Sequence, residues 1–459
     1  MIAPARRAAY EVLRAVSTGR STLPDAMARA RPHLKDPRDR SLAAEIVTGT
    51  LRWRGRLDWI VARAAAREVE RLDPEVLDLL RLSLYQLLFL DRVPAAAIVD
   101  DAVSLTRRAG KRSAAGFVNA VLRGVGRHGA PVLPARPPRV VTAADREAAL
   151  DFLAVTGSHP RWLAARWLER LGLDAAERWV AFDNAEAPLT LRANRLYTTP
   201  EQLASHLARA GVETERTRVS PDGLVVMRGQ PIGHPDVDPR LFVVQDEASQ
   251  LVVLMTGAAP GQRVLDACAA PGGKTIGLAG RLAGSGLLVA ADLRPRRVAL
   301  LRRFLAAAGA DGVPVLRADA SRPLPFRPVF DLVLLDAPCT GLGTLRRDPE
   351  IRWRRTAEDL AAATARQRRM MAEAAGVVGG GGRLVYATCS SEPEENQEVV
   401  EAFLAERPEF ERVARRQLVG EGAPDAVLTP QGDLQTRPDR DDLEAFFAAA
   451  LQRTAPGSL

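Results

Sequence analysis

The stretch "RVLDACAAPGGKT" (263–275) decides how the rest of the chain is read. A short apolar run closes on Asp266. A turn of small residues, proline and two glycines then leads to a helix start at Lys274. Strand, turn and helix in that order are the opening of an α/β unit. The same grammar recurs downstream in "LLVAAD" (287–292), "VPVLRAD" (313–319), "FDLVLLDA" (330–337) and "RLVYAT" (383–388), with helical or loop segments between them. Strands alternating with helices predict a parallel, doubly wound sheet over residues 241–459.

In such sheets the ligand sits beyond the carboxyl ends of the strands. Those ends carry Asp266 with the glycine turn, then Asp292, then Asp319, then Asp336 with Pro338 and Cys339, and finally Thr388, Cys389 and Ser390. One strand-end aspartate would be read as a cap for the next helix. Four carboxylates, two thiols and a glycine turn on one rim are read as a site.

The turn is not a phosphate loop, which needs glycine where Cys268 stands, and the dinucleotide pattern G-x-G-x-x-G is also missing. Gly272 and Gly273 still let a ligand approach the backbone closely. Asp292 lies where an acid bonds ribose hydroxyls in related sheets. A nucleoside without a pyrophosphate fits both facts, and S-adenosylmethionine is the candidate, with Asp319 toward its adenine end. Lys274 is open to three readings: a partner for the methionine carboxylate, a neighbour of a thiolate, or a solvated charge at a helix start.

The thiols suggest what would be methylated. Carbon 5 of cytosine is too weak a nucleophile until a thiolate adds at carbon 6, which makes the ring enamine-like. A carboxyl group against the ring nitrogen and amine edge would stabilise the adduct, and Asp336 is the candidate. Removing the carbon 5 proton and expelling the thiol need acid–base help, so Cys339 and Cys389 can divide the work. The alternative is that both are buried packing residues.

Upstream, residues 1–128 read as all-helical, with apolar residues at spacings of three and four in "AAYEVLRAV", "LDWIVARAA" and "GFVNAVLRGV". "VLDLLRLSLYQLLFL" (76–90) is interrupted by Arg81 and too short to span a bilayer, so it reads as a buried core helix. Residues 129–143 hold four prolines between 131 and 138 and are expected to form a semi-extended linker at a domain boundary. Residues 144–240 are expected to form a small α+β module. Its helix at 160–172 would turn Trp162, Ala165 and Leu168 to one face, and strands are expected at 189–196 and 223–229.

The chain has 64 Lys+Arg against 56 Asp+Glu, unevenly spread. Residues 1–128 carry 23 against 14, and the remainder 41 against 42. A basic helical half points to a polyanion, most simply nucleic acid. With only three lysines, part of the arginine excess reflects genomic bias. Three cysteines without a C-x-x-C pair exclude a disulfide framework and a structural zinc site, and no metal is expected. No apolar stretch has signal-peptide or membrane-spanning form, so the expected compartment is the reducing cytoplasm, with no membrane partner.

"DACAAPGGKT", "DAPCTGLGTLRRDPEIRW" and "YATCSSEPEENQEVV" resemble the cofactor, proline–cysteine and threonine–cysteine–serine motifs of RNA 5-methylcytosine methyltransferases. "SHPRWLAARW" and "VVQDEASQLV" resemble the segments before that catalytic domain, and residues 4–128 resemble the NusB-like helical RNA-binding domain. The combination is similar to the RsmB/Sun branch, whose substrate is a cytosine of bacterial 16S ribosomal RNA. The resemblance implies Cys389 as nucleophile and Cys339 as the thiol that helps product leave. It implies cofactor contacts along Cys268, Ala269, Ala270, Pro271, Gly272, Gly273 and Lys274, and at Asp292, Asp319 and Asp336. It further implies an RRM-like fold within 144–240. DNA cytosine methyltransferases use a proline–cysteine nucleophile, so chemistry alone does not choose between the thiols. A transfer-RNA cytosine methyltransferase and a non-catalytic NusB-like antitermination factor are the alternative functions.

Overall fold

The sequence pattern divides by period, and so does the chain in the computed structural model, which describes residues 2–454. One unit comprises the residues up to Ala185 together with Leu345–Arg354; the other comprises Glu186–Thr344 and the residues from Arg355 onward.

The first unit is helical. Its helices Pro4–Ser17, Pro37–Arg52 and Pro74–Phe89 each open on proline, whose missing N–H costs nothing in a first turn. Asp36 caps the second of these by accepting from Arg38 N at 2.8 Å. Helix Pro74–Phe89 is buried continuously from Val76 to Gln86, as expected of a central core helix. Leu79, Leu80, Leu82 and Leu84 are essentially inaccessible, each contributing about 1.5–3 kcal/mol. Arg81, which interrupts that run, is inside too: it forms a fork on Asp58 at 2.6 and 2.8 Å and reaches Asp78 at 3.1 Å.

Two expectations change here. The proline-rich stretch is extended but pinned within this unit: Trp59 Nε1 donates to Val132 O (3.1 Å), Thr156 Oγ1 to Pro134 O (2.6 Å) and Arg136 to Glu177 (2.6 Å). The contact break falls after Ala185, so the helices Ala143–Asp151, Arg161–Leu171 and Leu173–Asn184 pack with the helical unit rather than with the strands after them. Helix Arg161–Leu171 buries Leu163, Ala164, Trp167 and Leu168, one residue round from the expected Trp162/Ala165/Leu168 face. Trp167 decides that rotation, stacking on Trp179 with ring centroids 5.2 Å apart.

Residues Leu345–Arg354, inside the proline–cysteine motif's downstream tail, belong to the helical unit. Arg352 is fully buried and donates to Ser158 O (3.1 Å), Asn184 Oδ1 (2.9 Å), Asp183 O (3.2 Å) and Leu345 O (3.2 Å). Trp353 Nε1 donates to Leu51 O at 2.6 Å, and Glu350 accepts from Leu23 N at 2.9 Å.

The second unit holds two sheets. The smaller is antiparallel: β1 (Thr190–Ala193), β2 (Glu213–Arg216), β3 (Gly223–Arg228) and β4 (Phe242–Val244), in the order β2-β3-β1-β4. Helix Pro200–Arg209 crosses over it, started by a capping box between Thr199 and Gln202. The larger sheet contains β5 (Arg263–Asp266), β6 (Leu287–Asp292), β7 (Val315–Arg317), β8 (Phe330–Asp336), β9 (Val378–Thr388), β10 (Phe410–Arg412), β11 (Leu434–Gln435) and β12 (Phe447–Arg453). Its order is β10-β12-β9-β8-β5-β6-β7, with β11 on β12. β9, β8, β5, β6 and β7 are parallel as expected, while β12 runs antiparallel to β9 and β10. The sheet is therefore mixed. "FAAALQR" lacks the branched residues that mark a strand, and only its pairing on both edges makes it one. Among the described residues no helix is long and apolar enough to cross a membrane.

Candidate active site

From β5 the chain runs outward through β6 and β7, then returns to β8 on the other side of β5 and continues to β9. That reversal opens a crevice beyond the carboxyl ends of β5 and β8, and the rim residues converge there.

Asp266 ends β5 with no accessible surface. Oδ2 accepts from Thr275 Oγ1 at 2.7 Å, and among the described residues Oδ1 has no hydrogen-bond partner. Burial raises its pKa to about 7; Thr275 and Lys274 oppose the shift, and Asp336 and Asp292 add to it. The sequence put this carboxylate on the rim without giving it a role; the unsatisfied oxygen is what marks it. Cys268 follows, its thiol pushed well up by desolvation and then by Asp266, Asp292 and Asp336. Ala269 and Ala270 are buried, and the Ala270–Pro271 peptide is cis.

The two glycines differ. Gly272 has φ +120°, and a Cβ there would meet Leu301 and Phe304 at 3.0 and 3.1 Å, so it serves the turn and its packing. At Gly273 a Cβ would meet nothing nearer than Gln245 at 3.5 Å, so that is where a ligand has room.

Lys274 is not a solvated charge. Its Nζ lies 2.7 Å from Asp336 Oδ2, with side-chain exposures of 12% and 29%. Burial works against its charge, but the Asp336 carboxylate and hydrogen bond outweigh it, Cys389 and Asp266 assist, and the ammonium is held above its ordinary range. Asp292 Oδ2 accepts from Ala270 N (3.2 Å) and Arg297 Nε (3.1 Å), which fixes the glycine turn. Its Oδ1 takes only the long contact from Arg294 N at 3.3 Å and so keeps acceptor capacity. Asp319 lies past the end of β7; hydrogen bonds from the Ser321 hydroxyl (2.7 Å) and N–H (3.0 Å) hold its pKa below the usual carboxylate value.

Parallel pairing of Asp336 with Ala387 sets the β8 and β9 ends side by side. The loops that follow bring Cys339 Sγ and Cys389 Sγ to 3.3 Å. The hydrogen bond with Cys389, burial and the Glu395 charge push the Cys339 thiol well up. Gly343 N donates to Cys389 O (2.9 Å), and Ala445 N donates to Gly343 O (3.0 Å). A Cβ on Gly343 would come within 1.9 Å of Ala445 O. Phe446, next along, has its ring 5.6 Å from Lys274 Nζ.

Beneath the thiols sit two residues that sequence reasoning missed. Glu395 is fully buried; its carboxylate accepts from Thr340 N (2.9 Å), Gln367 Nε2 (3.0 Å), Thr340 Oγ1 and Ser390 Oγ (2.5 Å). It thereby ties the residue after each of the two cysteines to one acceptor. Asn396 Nδ2 donates to Ser390 O at 2.9 Å, and its Oδ1 accepts from Thr388 Oγ1. A strand-end pattern search passes over them because both lie beyond β9, in a short turn at Pro393–Glu395 and the helix start after it.

The donor set suits a sulfonium nucleoside. The orphaned Asp266 oxygen matches an ammonium group, Asp292 Oδ1 matches ribose hydroxyls, and Gly273 leaves space between them. Two adjacent thiols beside a half-buried ion pair can add to an electron-poor ring and expel it again.

Comparison with known proteins identifies the family. Residues 253–452 match the family model for 16S rRNA methyltransferase RsmB/F, residues 3–127 that of the NusB family, and residues 159–233 that of the RsmF/B-like ferredoxin-like domain. The chain is 36% identical to the ribosomal RNA small subunit methyltransferase B of Pseudomonas putida, covering 88% of this chain and 89% of that one. It is 31% identical to the probable enzyme of the same name from Bacillus subtilis, covering 90% and 91%. Among solved structures, PH0851 superposes with a TM-score of 0.79 at 25% identity over 99% of both chains. A methyltransferase homolog from Pyrococcus horikoshii gives 0.56 at 26% identity, over 68% of this chain and 100% of that one. The helical, ferredoxin-like and sheet regions thus each match the model expected of them, and the chain belongs to the RsmB/F family of 16S rRNA methyltransferases, enzymes that act on RNA and depend on S-adenosylmethionine.

Proposed function

We propose that this protein transfers a methyl group to carbon 5 of a cytosine in bacterial 16S ribosomal RNA, through a covalent adduct between Cys389 and carbon 6. The observation that carries the reading is the thiol pair, 3.3 Å apart on neighbouring strand ends and beside the Lys274–Asp336 ion pair. The names of the relatives support ribosomal over transfer RNA as substrate. The paired thiols disfavour a purely binding role.

S-adenosylmethionine supplies an electrophilic methyl group when bound; Asp266, Asp292, Asp319 and the Cys268–Lys274 turn would hold it. Cys389 forms the bond to carbon 6, which raises electron density at carbon 5. Asp336, positioned by Lys274 Nζ at 2.7 Å, lies against the cytosine ring nitrogen and amine edge and stabilises the adduct there. Lys274, whose own charge Asp336 favours, places that positive charge near Cys389. After transfer the carbon 5 proton leaves to a base and the Cys389–carbon 6 bond breaks, restoring the aromatic ring. Cys339, at hydrogen-bond distance from the departing sulfur, assists that release.

The test separates the thiols. Cys389→Ala should bind cofactor and form no protein–RNA adduct; Cys339→Ala should transfer methyl and accumulate an adduct that survives denaturing electrophoresis. An adduct in Cys389→Ala and none in Cys339→Ala would reverse the roles. Bisulfite mapping of the RNA identifies the carbon 5 product, and its absence overturns the cytosine reading.

A further inference from the structure

The near-neutral balance of the catalytic part of the chain hides a sharp local excess. Residues 293–327 contain eight arginines and two acids, Asp311 and Asp319. Residues 129–459 carry 41 basic and 42 acidic side chains, so without that stretch they would carry 33 against 40. Five of the eight, Arg294, Arg296, Arg297, Arg302 and Arg303, are exposed and lie on or just before helix Pro295–Ala307. Arg297 turns in to Asp292, and Arg302 donates to Val315 O. Arg294, Arg296 and Arg303 make no ion pair among the described residues.

A merely solvated helix face does not look like this. Genomic arginine bias would leave acids interspersed for pairing one turn away, and the stretch 293–310 has none. Three arginines at the opening of the helix also oppose its macrodipole, with no acidic residue in the first turn to offset them. The helix begins directly after the β6 end at Asp292, on the rim of the active site, and a helix of that length carries the charge over about 20 Å. At its far end Tyr197 is 46% exposed, its hydroxyl 3.4 Å from Gly309 O and its ring 5.4 Å from the Arg240 guanidinium. A cationic track ending at an exposed, arginine-flanked aromatic ring is the pattern that binds single-stranded nucleic acid.

We propose that this face binds the phosphate backbone of the substrate RNA flanking the target base, a proposal that rests on the RNA methyltransferase reading above. The catalytic unit then contributes its own RNA-docking surface, in addition to whatever the basic helical unit binds.

The experiment uses the full chain with Arg296→Gln/Arg303→Gln and Arg296→Lys/Arg303→Lys. Binding to a 16S rRNA fragment is measured across a salt series, and methyl transfer from labelled cofactor is measured alongside. If each arginine neutralises one phosphate of a single strand, the glutamine pair should reduce the slope of log K against log salt by about 1.4. It should raise the KM for RNA while leaving kcat, cofactor affinity and Tm unchanged. The lysine pair should restore the slope. An unchanged slope and KM in the folded glutamine pair overturns the proposal, as does an equal loss in both pairs. Should wild type transfer no methyl to this RNA, the substrate reading fails, and the binding slope still decides whether the surface holds RNA.

Discussion

Replacing Glu395 isolates what aligns the two thiols, because the side chain touches both loops and no reacting atom is assigned to it. Its Oε1 faces two N–H donors, Thr340 N at 2.9 Å and Gln367 Nε2 at 3.0 Å; its Oε2 faces the hydroxyls of Thr340 and Ser390. Glu395→Ala strands both N–H groups, while the hydroxyls can rotate toward other partners. At about 1–3 kcal/mol per buried unsatisfied group, two stranded N–H groups give an expected loss of about 2–6 kcal/mol. Glu395→Gln keeps an oxygen for the N–H donors and turns an NH2 toward hydroxyls that can accept, so the expected loss is only about 1–2 kcal/mol. The kinetic effect should be larger than the stability effect in the glutamine variant. A shift of about 1 Å in either thiol costs on the order of 100-fold in rate. Equilibrium urea unfolding gives the first number and single-turnover methyl transfer at saturating cofactor gives the second. An alanine variant with the wild-type midpoint and wild-type rate refutes the account.

Other outcomes follow from the same geometry. Asp266 has a folded-state pKa near 7 because it is buried, above its ordinary value, so the folded state binds the extra proton and stability should fall as pH rises from about 4 through 7, by up to about 4 kcal/mol. Asp266→Asn should flatten that dependence in unfolding experiments across pH, and a retained slope would assign it to another group. Asp292→Ala should weaken cofactor binding by about 1–3 kcal/mol in calorimetry, since it removes an acceptor and frees the Ala270 N–H. Gly343→Ala forces a methyl group against Ala445 O and should cost about 1–3 kcal/mol of stability together with most of the activity; normal turnover would show that the loop yields. Arg352→Leu leaves several buried oxygens without donors and should destabilise the helical unit by about 3–5 kcal/mol, read as a lowered unfolding midpoint.

What the sequence revealed followed from period and strand ends. The five parallel strands were legible because each is apolar and closes on a chemically distinctive residue, and those ends brought Asp266, Asp292, Asp336 and the two cysteines to one rim. Glu395 was not legible: it lies past the strand end, and only burial among four donors gives it a task. β12 was hidden by its alanines, and the helix face at 161–171 by competition between Trp162 and Trp167, which stacking on Trp179 of the next helix settled for Trp167. The proline-rich stretch looked like a linker because composition reports stiffness, whereas its carbonyls are fastened by Trp59 and Thr156.

The excursion of Leu345–Arg354 has a consequence for how the chain can be cut. The backbone passes between the two units after Ala185, before Leu345 and after Arg354, so they are threaded rather than strung in series. Cys339 lies six residues upstream of the second crossing. A chain beginning near residue 144 would keep every motif of the sheet domain yet deprive Glu350 of Leu23, Arg352 of the Arg52 carbonyl and Trp353 of the Leu51 carbonyl. Fusion, truncation or recombination at the apparent domain border would therefore leave these groups of Leu345–Arg354 without their partners. Such changes are tolerated only if both halves are inherited together.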